Sequence, residues 1–191
     1  VVLPDGTIEA LRTLREQGLV GITLPNKLGG ASLPQRVDGA IAYMMFQADA
    51  AMYTMPGLTG GVAETLFRFG SEELKQKYVP RLVSSNPSEA YSGAMVLTEP
   101  QAGSDVGAII TSARKVGDNY VINGEKIFIS NPDADVLVVL ARVEGAKQGT
   151  NGLSLFLVPK HLEDGKRNNV YMTRLEEKMG IKSSPTGAIT F

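Results

Sequence analysis

The spacing of apolar residues changes near Ala90, and this change limits the possible folds more than any other feature of the sequence. Before it, apolar side chains recur at helical spacing, as Val62 and Leu66 do. After it, they alternate in short runs that are separated by turn residues, a pattern typical of β-strands. The sequence therefore predicts an α+β chain, with a helical N-terminal domain over residues 1–88 and a β-domain over residues 89–191.

Four helices are predicted in the N-terminal domain. Thr7 is a candidate N-cap for the first helix, and Pro34 suits the first turn of the second. The second helix is expected to end before Pro56, because proline cannot donate a helical hydrogen bond. A third helix is then predicted from about Leu58, and Ser71 is the candidate N-cap of the fourth.

Short strands with frequent turns are predicted after residue 90. Asn123-Gly124 is a favoured two-residue hairpin turn, and residues 117–119 form a second turn. The segments between strands are too short for helical crossovers, so the sequence predicts an antiparallel β-barrel or sandwich. The predicted strands are residues 91–97, 111–116, 120–122, 125–129, 136–143, 153–158, 170–174 and 187–191.

Composition excludes several classes of function. The chain has no cysteine and one histidine, His161, so disulfides, cysteine nucleophiles and HExxH metal sites are excluded. GxGxxG, GxSxG and P-loop motifs are absent. A net charge of −1 with mixed signs gives no basic surface for nucleic acid, and no apolar run is long enough to span a membrane. We expect a cytoplasmic protein whose chemistry comes from a bound cofactor, from carboxylates, or from residues outside this chain.

Two segments are candidates for ligand binding. In residues 97–105, Gly103 permits close approach of a ligand, and Ser104 with nearby N–H groups can donate to a phosphate. The same residues also suit an ordinary turn in which Ser104 and Asp105 cap the backbone. In residues 126–131, Phe128 followed by Ser130 suits the flank of a flat heterocycle, but residue type alone favours a core aromatic with a capping serine. The residues alone leave both alternatives open.

These segments resemble signatures of the acyl-CoA dehydrogenase family. Residues 98–105 match the family's TEPxAGSD, and residues 120–131 (YVINGEKIFISN) are similar to its Y-x-I-N-G-x-K-x-W-I-[ST]-N. Upstream, residues 18–30 resemble GLxG[IL]xxP followed by YGG, and residues 70–80 resemble GTxEQKxxYLP. The resemblance covers nearly the whole chain. It implies the N-terminal helical and middle β-domains of such an enzyme, without the C-terminal four-helix domain.

The resemblance implies FAD as the cofactor and assigns residues to it. Gly103 and Ser104 match positions at the pyrophosphate, and Ser104 also matches a position near the acyl-CoA substrate. At Phe128 the family usually has tryptophan, and at Met95 some members have an aromatic residue, so altered packing at the ring edge is expected. The positions matched to the flavin ring are Met95, Leu97, Thr98, Phe128, Ile129 and Ser130.

The family reaction is α,β-dehydrogenation of an acyl-CoA thioester, in which a glutamate removes the α-proton and FAD accepts the β-hydride. Hydrogen bonds to the thioester acidify the α-proton, and burial raises the pKa of the base. In most members that glutamate belongs to the C-terminal domain, so no catalytic residue is assigned within this chain. Glu99 matches the structural glutamate of the TEP loop and is rejected as the base.

Segments at residues 55–61, 155–160 and 177–182 are similar to the branch that contains 3-methylmercaptopropionyl-CoA dehydrogenases. The resemblance implies electron-transfer flavoprotein as the acceptor and a homodimer or homotetramer for the full-length protein. Without a C-terminal domain, the fragment is expected to hold FAD weakly and to be inactive. Two alternatives are an acyl-CoA or nitroalkane oxidase of the same fold and a flavin-free interaction module.

Overall fold

The computed structural model describes residues 2–191, which form two compact units. The helical unit extends to Gly93 and includes Glu177–Ser184, and the β unit comprises Ala94–Glu176 and Pro185–Phe191. Helices followed by sheets confirm the predicted fold order. The domain boundary placed after residue 88 stays a prediction.

The helical unit contains α1 (Asp5–Glu16), α2 (Gln35–Phe69) and α3 (Glu72–Val83). Thr7 does not cap α1. The helix begins earlier, after Pro4, whose carbonyl accepts from the N–H of Thr7 at 2.9 Å. Ser71 does cap α3, because its side chain accepts from the N–H of Leu74 at 3.3 Å.

The second and third predicted helices form one element, α2, which is interrupted at Asp49 and not before Pro56. Asp49 has φ −157° and ψ 101°, outside the helical region. Its carboxylate accepts from the N–H of Met52 at 3.0 Å, so it acts as an N-cap and restarts the helix. Pro56 lies buried in the restarted segment. The sequence prediction failed because an aspartate cap supplied the break that we assigned to proline.

All eight predicted strands are present within a few residues. They form a five-stranded sheet, in the order β1-β5-β2-β3 with β6 also paired to β5, and a three-stranded sheet in the order β4-β8-β7. The strands are β1 (Gly93–Val96), β2 (Ser112–Val116), β3 (Asn119–Asn123), β4 (Glu125–Ser130), β5 (Val136–Val143), β6 (Leu153–Pro159), β7 (Tyr171–Leu175) and β8 (Thr186–Thr190).

The sheets differ from the predicted antiparallel barrel or sandwich in the pairing of β2 with β5, and from the barrel in closure. β2 pairs with β5 in parallel, whereas β2/β3, β5/β6, β4/β8 and β7/β8 are antiparallel. After β3 the chain crosses to the second sheet before it returns as β5, so β5 enters in the same direction as β2. The five-stranded sheet is therefore mixed, and no closed barrel forms within residues 2–191.

Asn123-Gly124 is not a hairpin turn, because β3 and β4 belong to different sheets. Gly124 has φ +154°, and a Cβ atom there would lie 2.4 Å from Thr111 Oγ1. Close approach of Thr111, and not a hairpin, accounts for the glycine at the crossing. The turn at residues 117–118 does join β2 to β3, since Val116 pairs with Asn119.

The two sheets share one apolar core. Its members come from both sheets, so the sheets pack face to face and fix the relative positions of β1 and β4. The buried members are Ala94, Val96, Ile129, Ala134, Leu137, Val139, Val158, Val170 and Ile189. Among the described helices, none is long and apolar enough to cross a membrane.

Candidate functional site

The two signature segments lie side by side in the β unit. β1 ends at Val96, and the chain that follows runs beside β4. The N–H of Ile127 donates to the carbonyl of Thr98 at 2.9 Å. Lys126 Nζ donates to the carbonyl of Leu97 at 2.7 Å. Residues 97–98 and 126–127 are thereby held in contact, as a shared ligand site requires.

A buried ion pair reinforces this contact. Lys126 Nζ lies 2.8 Å from Glu99 Oε1, and both side chains are almost completely buried, at 0% and 1% exposure. Burial by itself would raise the pKa of Glu99, but hydrogen bonds, first of all from Lys126, outweigh it and lower the pKa to about 2. Burial lowers the pKa of Lys126 against the opposing effect of Glu99. Lys126 was not among the predicted site residues, although a lysine inside an apolar strand signals a buried partner.

Glu99, near the start of the loop between β1 and β2, also bonds to the residues at the end of that loop. Its carboxylate accepts from Gln101 Nε2 at 2.6 Å, from the N–H of Ile110 at 2.9 Å and from the N–H of Thr111 at 3.0 Å. A carboxylate with these donors and a low pKa is a poor proton acceptor at neutral pH. This geometry supports the rejection of Glu99 as a general base.

We call residues 99–102 and 109–111 the stem of this loop, and residues 103–105 its tip. The tip is exposed. A Cβ atom built on Gly103 meets no atom within 4 Å, so the space beside its backbone is open. Ser104 is exposed next to it. The tip can therefore present hydroxyl and N–H donors to an anion, the chemistry that the sequence predicts for Gly103 and Ser104.

β4 carries a bulge beside the stem. Lys126 pairs with Ile189 and Ile129 with Gly187, so β4 has one more residue than β8 in this stretch. Phe128 occupies the bulge with φ +57° and is 59% exposed. A left-handed aromatic residue costs about 1–3 kcal/mol, and such strain is concentrated at functional sites. The bulge turns Phe128 outward, as a residue that flanks a flat ring must be.

The remaining candidates differ in how far their side chains are exposed to solvent. Met95 is partly exposed between the buried Ala94 and Val96, which puts its side chain on the face opposite the core, while Leu97 and Thr98 are partly exposed. Ser130 is partly exposed at the end of β4. Ile129 is the least exposed of these candidates. Its side chain is 3% exposed and belongs to the core, so it offers only its backbone to a ligand.

Family models match both parts of the chain. The acyl-CoA dehydrogenase N-terminal domain matches residues 4–86, and the acyl-CoA dehydrogenase middle domain matches residues 94–191. The chain belongs to the acyl-CoA dehydrogenase family.

The chain is 37% identical over 202 residues to a 3-methylmercaptopropionyl-CoA dehydrogenase of Ruegeria pomeroyi, covering 100% of this chain and 34% of that protein. The structure of an acyl-CoA dehydrogenase complexed with FAD from Bacillus anthracis is similar, with a TM-score of 0.82 and 33% sequence identity. The match covers 97% of this chain and 30% of the B. anthracis chain. The structure of Caenorhabditis elegans ACDH-11 in complex with C11-CoA has a TM-score of 0.84 and 29% sequence identity. That match covers 99% of this chain and 33% of the ACDH-11 chain. The chain thus spans about a third of the length of these proteins.

Proposed function

We propose that the full-length protein is an FAD-dependent dehydrogenase that removes hydrogen from the α and β carbons of an acyl-CoA thioester. The observation that carries this proposal is the contact between the two signature segments. Residues 97–99 make three contacts to β4. Lys126 contacts Leu97 and Glu99, and Ile127 contacts Thr98. The exposed tip extends from the stem that these contacts hold. Family membership supports the reaction class.

The described residues fit FAD. The tip offers room for the pyrophosphate at Gly103 and a donor at Ser104. Around the ring we assign Met95, Leu97, Thr98, Phe128, Ser130 and the backbone of Ile129. Phe128 then covers an edge of the ring, and the hydroxyls of Thr98 and Ser130 bond to its polar atoms. The FAD-complexed relative from B. anthracis supports FAD as the cofactor.

When bound, FAD supplies the two-electron acceptor for the β-hydride. The residues of this chain bind and orient; they do not remove the α-proton. Ser104 is assigned a second contact, to the acyl-CoA, and the C11-CoA complex of ACDH-11 supports a thioester ligand. The proton is taken by a glutamate that we place outside this chain, because Glu99 is ion-paired and has a low pKa.

Three further assignments follow from the resemblance and stay predictions. They are electron-transfer flavoprotein as the electron acceptor, a homodimer or homotetramer as the assembly, and the cytoplasm as the location. The 37% identity to a 3-methylmercaptopropionyl-CoA dehydrogenase supports that branch.

The proposal is tested by the absorbance spectrum of the purified full-length protein. We expect bound flavin at about one per subunit, bleached under anaerobic conditions by a saturated acyl-CoA. Air is then admitted, and a reduced flavin that does not pass its electrons to oxygen distinguishes a dehydrogenase from an oxidase of the same fold. A colourless protein that cannot be reconstituted with FAD would favour the interaction module and contradict the proposal.

A further inference from the structure

Arg142, near the end of β5, directs its guanidinium at main-chain carbonyls. Nη2 donates to Gly107 at 2.8 Å and Nε to Ile109 at 3.4 Å. Nη1 donates to Lys147 and, at 3.0 Å, to Gly149. The first two carbonyls belong to the loop that carries the tip, and the other two to the loop between β5 and β6. One side chain thus joins two loops that are far apart in sequence.

The two loops pack backbone against backbone at this point. A Cβ atom on Gly107 would lie 3.4 Å from the Cα of Gly149. Carbonyls in such close packing need donors that reach them from a fixed direction. The planar guanidinium supplies several donors in a rigid fork, whereas a lysine ammonium is a compact charge on a flexible stem. Lysine at position 142 would keep the charge and lose most of these bonds.

Arg142 binds the carbonyl groups of the β1–β2 loop, and Glu99 binds its N–H groups. Glu99 accepts from the N–H groups of Ile110 and Thr111, and Arg142 donates to the carbonyls of Gly107 and Ile109. Both sets of bonds lie on the segment that returns from the tip to β2. The tip itself projects from this fixed segment with its backbone exposed.

We propose that Arg142 is a positioning residue, which holds the tip in the shape that binds the pyrophosphate of FAD. The inference rests on the proposed function, because it deepens the assignment of the same site. Arg142 acts through the backbone of residues 107–109 and requires no contact with the ligand. Preorganised donors bind an anion more tightly than donors that must be ordered at the moment of binding.

The experiment compares FAD with riboflavin, which carries the ring but no pyrophosphate. Full-length apoprotein carrying Arg142→Lys is titrated with each, beside wild type and the control Arg114→Lys, an exposed arginine on β2. We expect Arg142→Lys to weaken FAD binding at least about tenfold. Riboflavin affinity should stay within about twofold of the control, and a cooperative unfolding transition should show that the variant remains folded. Arg142→Gln, which also removes the charge, should show the same selective loss.

Equal losses for FAD and riboflavin would mean a general structural role and would overturn the inference. So would FAD affinity in Arg142→Lys that matches Arg114→Lys. Wild-type protein that binds riboflavin and FAD equally would overturn it too, since the tip would then contribute nothing. Wild type that binds no flavin at all contradicts the proposed function first and removes the basis for the role of Arg142.

Discussion

The stem and the tip of the β1–β2 loop are adjacent in sequence, but the key side chains of the stem are buried and the tip is exposed to solvent. In the stem, Glu99 and Thr111 are 2% and 1% exposed and joined by a hydrogen bond. In the tip, Gly103 and Ser104 are exposed, and a Cβ atom built on Gly103 meets no atom within 4 Å. One short motif therefore contains residues that the fold requires and residues that the fold leaves free. The two groups should respond differently to mutation.

The largest effect is expected in the stem, from Lys126→Met. Methionine keeps the length and apolar body of the side chain but leaves the Glu99 carboxylate buried without its cation. Breaking a buried pair in this way typically costs about 3–5 kcal/mol of unfolding free energy. Denaturant titration of the purified protein measures this cost.

The matched control is Lys115→Met, because Lys115 is an exposed lysine on β2. It should change stability by less than about 0.5 kcal/mol. Adding Glu99→Gln to Lys126→Met should restore part of the loss, since the uncompensated charge is removed. Equal stability of the two single variants would show that the buried pair does not hold the stem.

A somewhat smaller effect is expected from pH. The folded-state pKa of Glu99 is about 2, against an ordinary value of 4.5. Glu99 therefore contributes stability that is fully present above about pH 4.5 and is lost as the pH falls towards 2. A lowering of this size corresponds to ~3 kcal/mol. The difference in unfolding free energy between wild type and Glu99→Gln should shrink across that range.

Glu125→Gln serves as the control for the pH series, because Glu125 is exposed at the start of β4. Its difference from wild type should stay small at every pH. A Glu99→Gln difference that did not change between pH 5 and pH 2.5 would contradict the low pKa of Glu99.

The contrast between stem and tip also explains what the sequence could predict. Apolar periodicity located the helices and strands, because the burial of one face determines them. Residue type made Gly103 and Ser104 candidates beside an ordinary turn, and the resemblance assigned them to the pyrophosphate, since residues that the fold leaves free carry no folding signal. Glu99 was recognised as structural, but its partner Lys126 was not, because their pairing brings together residues 27 positions apart.

Two errors have identifiable physical causes. The capping bond of Asp49 moved the break in α2 away from Pro56. The crossing at Gly124 serves close packing against Thr111, which a dipeptide rule for hairpins does not detect. The Asp49 cap is a local bond to a residue three positions on, whereas the glycine at 124 is explained by a tertiary contact.

The central claim, that the tip binds FAD while the stem maintains the fold, is tested most directly by Gly103→Val in the full-length protein. The added side chain meets no protein atom near its Cβ and would occupy the space assigned to the pyrophosphate. The control is Gly180→Val, at an exposed glycine whose Cβ also meets nothing within 4 Å. We predict an unchanged unfolding midpoint in both variants, with FAD bound at least about tenfold more weakly in Gly103→Val alone. Full retention of FAD by Gly103→Val would contradict the claim.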